Sequence, residues 1–335
     1  MLTARENFLE TIRPGGKPER LVNHYEAFSV MMGDPISRFV RGERRRGMPP
    51  TTDRWGVTYI WPEDQVAAMP DHSPGRRALT DVRAWRERVT VPDLSCCEAP
   101  ALWEDFLARA AAVDRRETFL TGFMPGGVFE QMHALMGFED TLVGFLTEPD
   151  AMLELSECIG AYRLRYLKLL VERLQPDAIL FHDDWGAKNS LFMSPEVWRT
   201  FLKPQYRKLF AYTREQGILA VHHADSFLEP IVPDMAEIGI DVWQGVLPEN
   251  DIVLLQKQLN GRMALMGGID ASKVDRPDST EAEIRAEVRR ACETYAPGGC
   301  YIPSLTYGDP GSLYPHVLPV LRDEIARCSR EQLGQ

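Results

Sequence analysis

From about residue 117 onward, short apolar runs alternate with amphipathic helical segments, and this alternation constrains the fold more than any other feature. The runs are Thr118-Phe-Leu-Thr-Gly-Phe, Ala178-Ile-Leu-Phe-His, Ile218-Leu-Ala-Val-His, Val242-Trp-Gln-Gly-Val, Met263-Ala-Leu-Met-Gly and Cys300-Tyr-Ile-Pro-Ser. An earlier run, Leu21-Val-Asn-His-Tyr-Glu-Ala-Phe, follows an opening helical segment. Apolar runs bounded by turn formers are the pattern of strands covered on both faces. The intervening segments carry helix signals. Asp150 is placed to cap a long helix with Met152, Leu155, Ile159, Tyr162, Leu169 and Leu170 in helical period. Ser194-Pro195 reads as a cap followed by proline at the first helical position, and Asp251 opens a helix that Gly261 ends. Residues 281–296 align Ile284, Val288, Ala291, Cys292 and Tyr295 in one stripe.

Strand, helix and strand repeated in this way predict a parallel α/β sheet closing as a (β/α)8 TIM barrel. No G-x-G-x-x-G follows a strand, so the dinucleotide-binding open sheet is set aside. Residues 41–116, rich in Arg, Pro, Asp and Trp, break the rhythm. They read as an excursion over the barrel mouth within a single domain spanning 1–335. Arg41, Arg44, Arg45 and Arg46 read as a solvated basic loop.

The formal net charge of −11 argues against nucleic acid and anionic membrane as partners. No apolar stretch approaches the ~20 residues of a membrane span, and the first residues lack an apolar signal core, so a cytoplasmic protein is expected. The six cysteines then read as free thiols.

Chemistry in a barrel collects where strands end, and the residues at those ends are strongly polar. His182, Asp183, Asp184 and Trp185 follow one run, His222, His223 and Asp225 another, and Gln244, Asp270 and Cys300 sit at three more; Glu130 lies near the start of a helix. His223 and Asp225, two apart, face the same way on a strand. With Cys300 they make a three-ligand N/O/S set suited to zinc, leaving one position open. Asp183, Asp184 and Glu130 are the candidates for acid/base work or substrate anchoring. His182, Trp185, His222, Gln244, Asp270 and Tyr301 are the candidate substrate contacts.

Several stretches resemble the uroporphyrinogen decarboxylase superfamily: Arg5-Glu-Asn-Phe-Leu-Glu-Thr-Ile, Phe181-His-Asp-Asp-Trp-Gly, Phe192-Met-Ser-Pro-Glu-Val-Trp, Gly217-Ile-Leu-Ala-Val-His-His, Gly267-Gly-Ile-Asp and Ala296-Pro-Gly-Gly-Cys-Tyr-Ile. The resemblance implies a (β/α)8 barrel and two activities, decarboxylation of a tetrapyrrole or corrinoid-dependent methyl transfer. The decarboxylases carry an early Arg-Gln-Ala-Gly-Arg segment that holds the substrate carboxylates. Here the first run has Glu26 and no arginine. The methyltransferases carry His-x-Cys and a later Cys on zinc. His223 matches the His, Asp225 stands where the first Cys would be, and Cys300 matches the last approximately. An oxygen in place of one sulfur leaves a harder metal, suited to polarising an ether oxygen. The resemblance therefore implies a zinc-dependent methyltransferase that demethylates a small O-methyl compound and passes the methyl group to a corrinoid (cobalamin) on a separate protein. Uroporphyrinogen decarboxylation and methylcobamide:thiol methyl transfer are the alternatives, and a homodimer is compatible with the reading.

Overall fold

The computed structural model describes residues 1–65, 67–307 and 312–333. Its strands are β1 (Phe28–Met31), β2 (Thr51–Thr52), β3 (Thr58–Ile60), β4 (Met69–Pro70), β5 (Phe119–Met124), β6 (Ala178–His182), β7 (Leu219–His223), β8 (Val242–Val246), β9 (Ala264–Gly268) and β10 (Tyr301–Ser304). Seven of them form one parallel sheet in the order β1-β5-β6-β7-β8-β9-β10, with helices in the connections. The sheet curls. Its two edges are tied by His24 Nδ1 to Ser304 Oγ at 3.0 Å and by Tyr25 Oη donating to Thr306 O at 2.9 Å. The result is a TIM-like half-barrel. Among the described residues, the ladder holds seven strands where the alternation predicts eight.

The apolar runs from residue 118 onward match β5 to β10 within a residue or two. The earliest run does not. Residues 24–27 form a turn, His24 has φ +59°, and the strand begins only at Phe28. The side chains of that turn serve the edge seam, which hydropathy alone does not report. The helix Pro149–Leu174 begins after Glu148, whose side chain makes no capping bond, so Asp150 lies inside its first turn, where an acid still favours the helix dipole. Ser194 and Asp251 cap their helices as expected. Asn260, at φ +46°, ends the helix Ile252–Leu259 one residue before Gly261. The helix Glu281–Tyr295 buries its expected stripe and opens with a Thr280/Glu283 capping box.

Inside the sheet, the strand starts are closed by hydrocarbon. Phe8 of the helix Ala4–Ile12 packs edge-on against Phe28 and Phe119, with ring centroids at 4.9 and 5.5 Å. Ala178, Val221, Val242, Ala264 and Ile302 complete this floor. Toward the other end, the register His182↔His223↔Gln244↔Met266 sets the last residues of β6 and β7 level with the middle of β8 and β9.

The excursion contains the small antiparallel sheet β2-β3-β4, and its Trp55, Trp85 and Trp103 are buried in the main core. Arg44 is not solvated. Its side chain is 8% exposed, lies 3.4 Å over the Tyr59 ring and pairs with Asp53 at 3.3 Å. A planar guanidinium can stack and pair at once, so burial is open to it when both partners are present. Among the described residues, no helix is long and apolar enough to cross a membrane.

Candidate active site

The last residues of β6 and β7 are His182 and His223, and their rings stack at 4.5 Å with an interplanar angle of 19°. Each is held through Nδ1. His223 Nδ1 meets Gln244 Oε1 at 2.5 Å, and Gln244 is itself oriented by Nε2 donating to Thr306 O at 2.9 Å. A glutamine oxygen only accepts, so His223 carries its proton on Nδ1 and turns the Nε2 lone pair free. Burial, and after it His182, lower the His223 pKa to about 4, so the ring is neutral. His182 Nδ1 lies 2.9 Å from Glu130 Oε1. Burial opposes charge on both groups of this pair, yet their mutual attraction raises His182 and lowers Glu130.

Asp184 lies two residues beyond His182 and therefore on the same face. It accepts from Asp225 N at 3.1 Å. One donor atom each from His182, Asp184 and His223 fall within 4.8 Å of one another. Two imidazoles and a carboxylate at this spacing could hold a metal ion, with Glu130 beside His182 and Gln244 bonded to His223 as the outer partners. Asp225 stands beside this group. Burial, then repulsion from Asp184, raises its carboxyl to about 6.

Strand alternation sends the neighbouring residues the other way, toward the helices. Asp183 is fully buried and accepts from Phe129 N (3.0 Å), Glu130 N (2.9 Å), Trp185 Nε1 (2.9 Å) and Tyr206 Oη (2.5 Å). It thereby pins the start of the helix Val128–Met136, which carries Glu130 to His182. The approach is so close that a Cβ on Gly127 would fall 2.1 Å from Asp183 Cβ. His222 is fully buried, stacked on Trp185 at 4.1 Å. Asp183, a candidate for acid/base work or substrate anchoring, and Trp185 and His222, candidate substrate contacts, thus lie behind the donor cluster.

The expected zinc set of His223, Asp225 and Cys300 is not assembled. Cys300 precedes β10, its backbone carbonyl pairing with Leu265 N, and its thiol donates to Ile12 O at 3.7 Å beside the apolar floor. Parallel strands share one direction, so a residue at a strand's start sits at the end away from the mouth. Tyr301 is buried, with its hydroxyl donating to Gly267 O at 2.7 Å. Asp270 caps the short helix Ala271–Val274 and accepts from Ser272 N at 3.0 Å. His182 and Gln244, expected as substrate contacts, belong instead to the donor cluster and its supporting shell.

A cavity of about 440 Å³ opens beside His182 and Glu130 and runs beneath the excursion, reaching Trp55, Tyr59, Gln131 and Arg163. Three of its residues escape the motif reading: Gln131, Tyr162 and Arg163. One signal for Arg163 is present in the sequence, a cation four residues after Ile159 and seven before Leu170, on the buried stripe of its helix.

A curled parallel α/β sheet with imidazole and carboxylate groups gathered near its strand ends is the arrangement in which TIM-like barrels place their active sites. The uroporphyrinogen decarboxylase (URO-D) family model matches residues 105–326, more than half of the chain, and the chain belongs to that family. A uroporphyrinogen decarboxylase from Ralstonia nicotianae is 27% identical over 196 residues. That match covers 54% of this chain and spans about half, 49%, of the relative's length. Among solved structures, a methyltransferase from Methanosarcina mazei superposes with a TM-score of 0.68 at 15% identity, over 100% of both chains, a likeness of fold.

Proposed function

We propose that this protein is a metal-dependent methyltransferase that removes the methyl group of a small O-methyl compound and delivers it to a reduced corrinoid carried by a separate protein. The observation that carries the reading is the cluster of His182, Asp184 and His223, whose two imidazoles are engaged at Nδ1 by Glu130 and Gln244. This donor set fits zinc with one or more positions left open. Zinc held there would supply a Lewis acid for the ether oxygen and so a better leaving group. The methyl carbon–oxygen bond breaks with its electron pair remaining on oxygen. The electron pair for the new bond to carbon would come from the reduced corrinoid on the partner protein.

The remaining work belongs to the chain's own groups. Gln244 keeps the His223 ring in one tautomer, and Glu130 accepts the His182 proton when that ring turns its other nitrogen to a ligand. Asp225, half-buried beside Asp184 with its carboxyl raised toward neutrality, is the group we assign to give the displaced oxygen its proton. The excursion at 41–116, acting as a cap over the mouth of a full (β/α)8 barrel, supplies part of the surface against which the corrinoid protein docks.

The test is to mix the zinc-loaded protein with reduced cobalamin and a panel of methoxylated aromatics, following methylcobalamin by absorbance. Methylation that disappears in His223→Ala supports the reading. No methylation, together with conversion of uroporphyrinogen to coproporphyrinogen, overturns it in favour of decarboxylation. Against that outcome, the cavity is lined by two arginines, Arg41 and Arg163, poor provision for a substrate with many carboxylates.

A further inference from the structure

Besides His182 Nδ1, which faces Glu130, the residues lining the cavity beside His182 carry three buried polar atoms that no group among the described residues satisfies. Tyr162 Oη, Gln131 Nε2 and Arg163 Nε have no hydrogen-bond partner, and their residues are 1%, 7% and 6% exposed. Buried donors left without an acceptor are costly and uncommon in native proteins. All three can donate, and the amide and guanidinium nitrogens can do nothing else. The missing partner is therefore an acceptor.

Charge narrows it further. Arg163 spends its other nitrogens on backbone carbonyls, donating to Pro125 O at 2.9 Å and Gly127 O at 3.4 Å. The acids that line the same cavity are already engaged, Glu130 with His182 and Asp53 with Arg44. A buried guanidinium without a carboxylate calls for an anion from outside. The walls are flat and aromatic, with Trp55, Tyr59, Phe123 and Tyr166, and the volume suits a single-ring molecule.

We propose that the cavity binds a small aromatic carboxylate, with its carboxylate received by Arg163, Gln131 and Tyr162 and its opposite, O-methyl end presented at His182. The assignment of that end rests on the methyl-transfer reading of the neighbouring cluster; the carboxylate pocket itself rests on the unpartnered donors.

Calorimetric titration of the zinc-loaded full chain with 4-methoxybenzoate and with methoxybenzene separates the two parts. The acid is expected to bind at least about tenfold more tightly than the neutral ether. Tyr162→Phe, which keeps the ring, and Gln131→Leu are each expected to weaken the acid about tenfold and leave methoxybenzene unchanged. Equal affinity for the two probes, or variants that bind the acid as well as the parent does, would overturn the proposal. If 4-methoxybenzoate binds with this pattern yet no methylcobalamin forms, the carboxylate pocket stands and the transfer reading falls. If methoxybenzene donates its methyl group with the same kcat/KM as the acid, the transfer reading stands and the pocket is overturned.

Discussion

The two ends of the same seven strands are built from opposite chemistry. At the starts, Phe8, Phe28 and Phe119 close the sheet with an apolar floor against which Cys300 packs, its thiol donating to Ile12 O. At the C-terminal ends, His182, Asp184, His223, Asp225 and Gln244 crowd polar groups together, each oriented by another polar group. One end lowers the free energy of the fold, and the other holds groups that a stability-optimised core would exclude. The lesson lies in direction. A reactive residue type matters only at the strand end it occupies, which is why Cys300 and His223 part company.

The sharpest break between the ends is metal binding. His223→Ala is expected to abolish zinc uptake, whereas Cys300→Ser retains about one zinc per chain, both read by metal analysis after purification without chelator. Zinc lost from the Cys300 variant and kept in the His223 variant would reverse the comparison. The floor gives the complementary result. Phe8→Ala should cost ~3–5 kcal/mol of stability in urea denaturation through the lost contacts and the cavity left behind, with zinc stoichiometry unchanged in the folded fraction.

A subtler variant acts through the orienting shell. Gln244→Leu leaves the three donors in place but frees the His223 ring, and a 10–100-fold weaker zinc affinity is expected by competition titration. Unchanged affinity would show that the ring needs no such partner.

The smallest effect sits at the seam between the sheet edges. Burial holds His24 down to about 3, far below an unfolded imidazole near 6.5. As pH falls below ~6.5 the unfolded chain takes up this proton while the folded chain does not, so stability present above that pH is lost progressively toward pH 3. Between pH 7 and 5.5 the loss is ~1 kcal/mol. His24→Asn, which tolerates the φ of +59°, should lose that much less over the same interval when denaturation curves are compared.

Much of this architecture is legible in one dimension. Six strands and the caps Ser194 and Asp251 follow from apolar runs and from side chains that bond to nearby backbone, both local effects. The candidate site was legible as a composition: imidazoles and carboxylates after β6 and β7. Its membership was not. Asp183 and Asp184 are adjacent and chemically identical, yet one pins the helix Val128–Met136 and the other faces the donor cluster. Which face looks inward depends on how the sheet curls. Arg44 likewise reads as a surface charge until Tyr59 and Asp53 fold onto it.

The amino-acid sequence by itself determined the alternation of strand and helix, the parallel sheet and the pool of residues able to do chemistry, because periodicity, capping and residue type act over a few neighbours. Only the tertiary structure decided that His182 joins His223, that Cys300 lies at the far end, and that Gln131, Tyr162 and Arg163 share one cavity. Those outcomes depend on strand register and on contacts between residues far apart in the chain, and no local pattern encodes which side chains such contacts bring together.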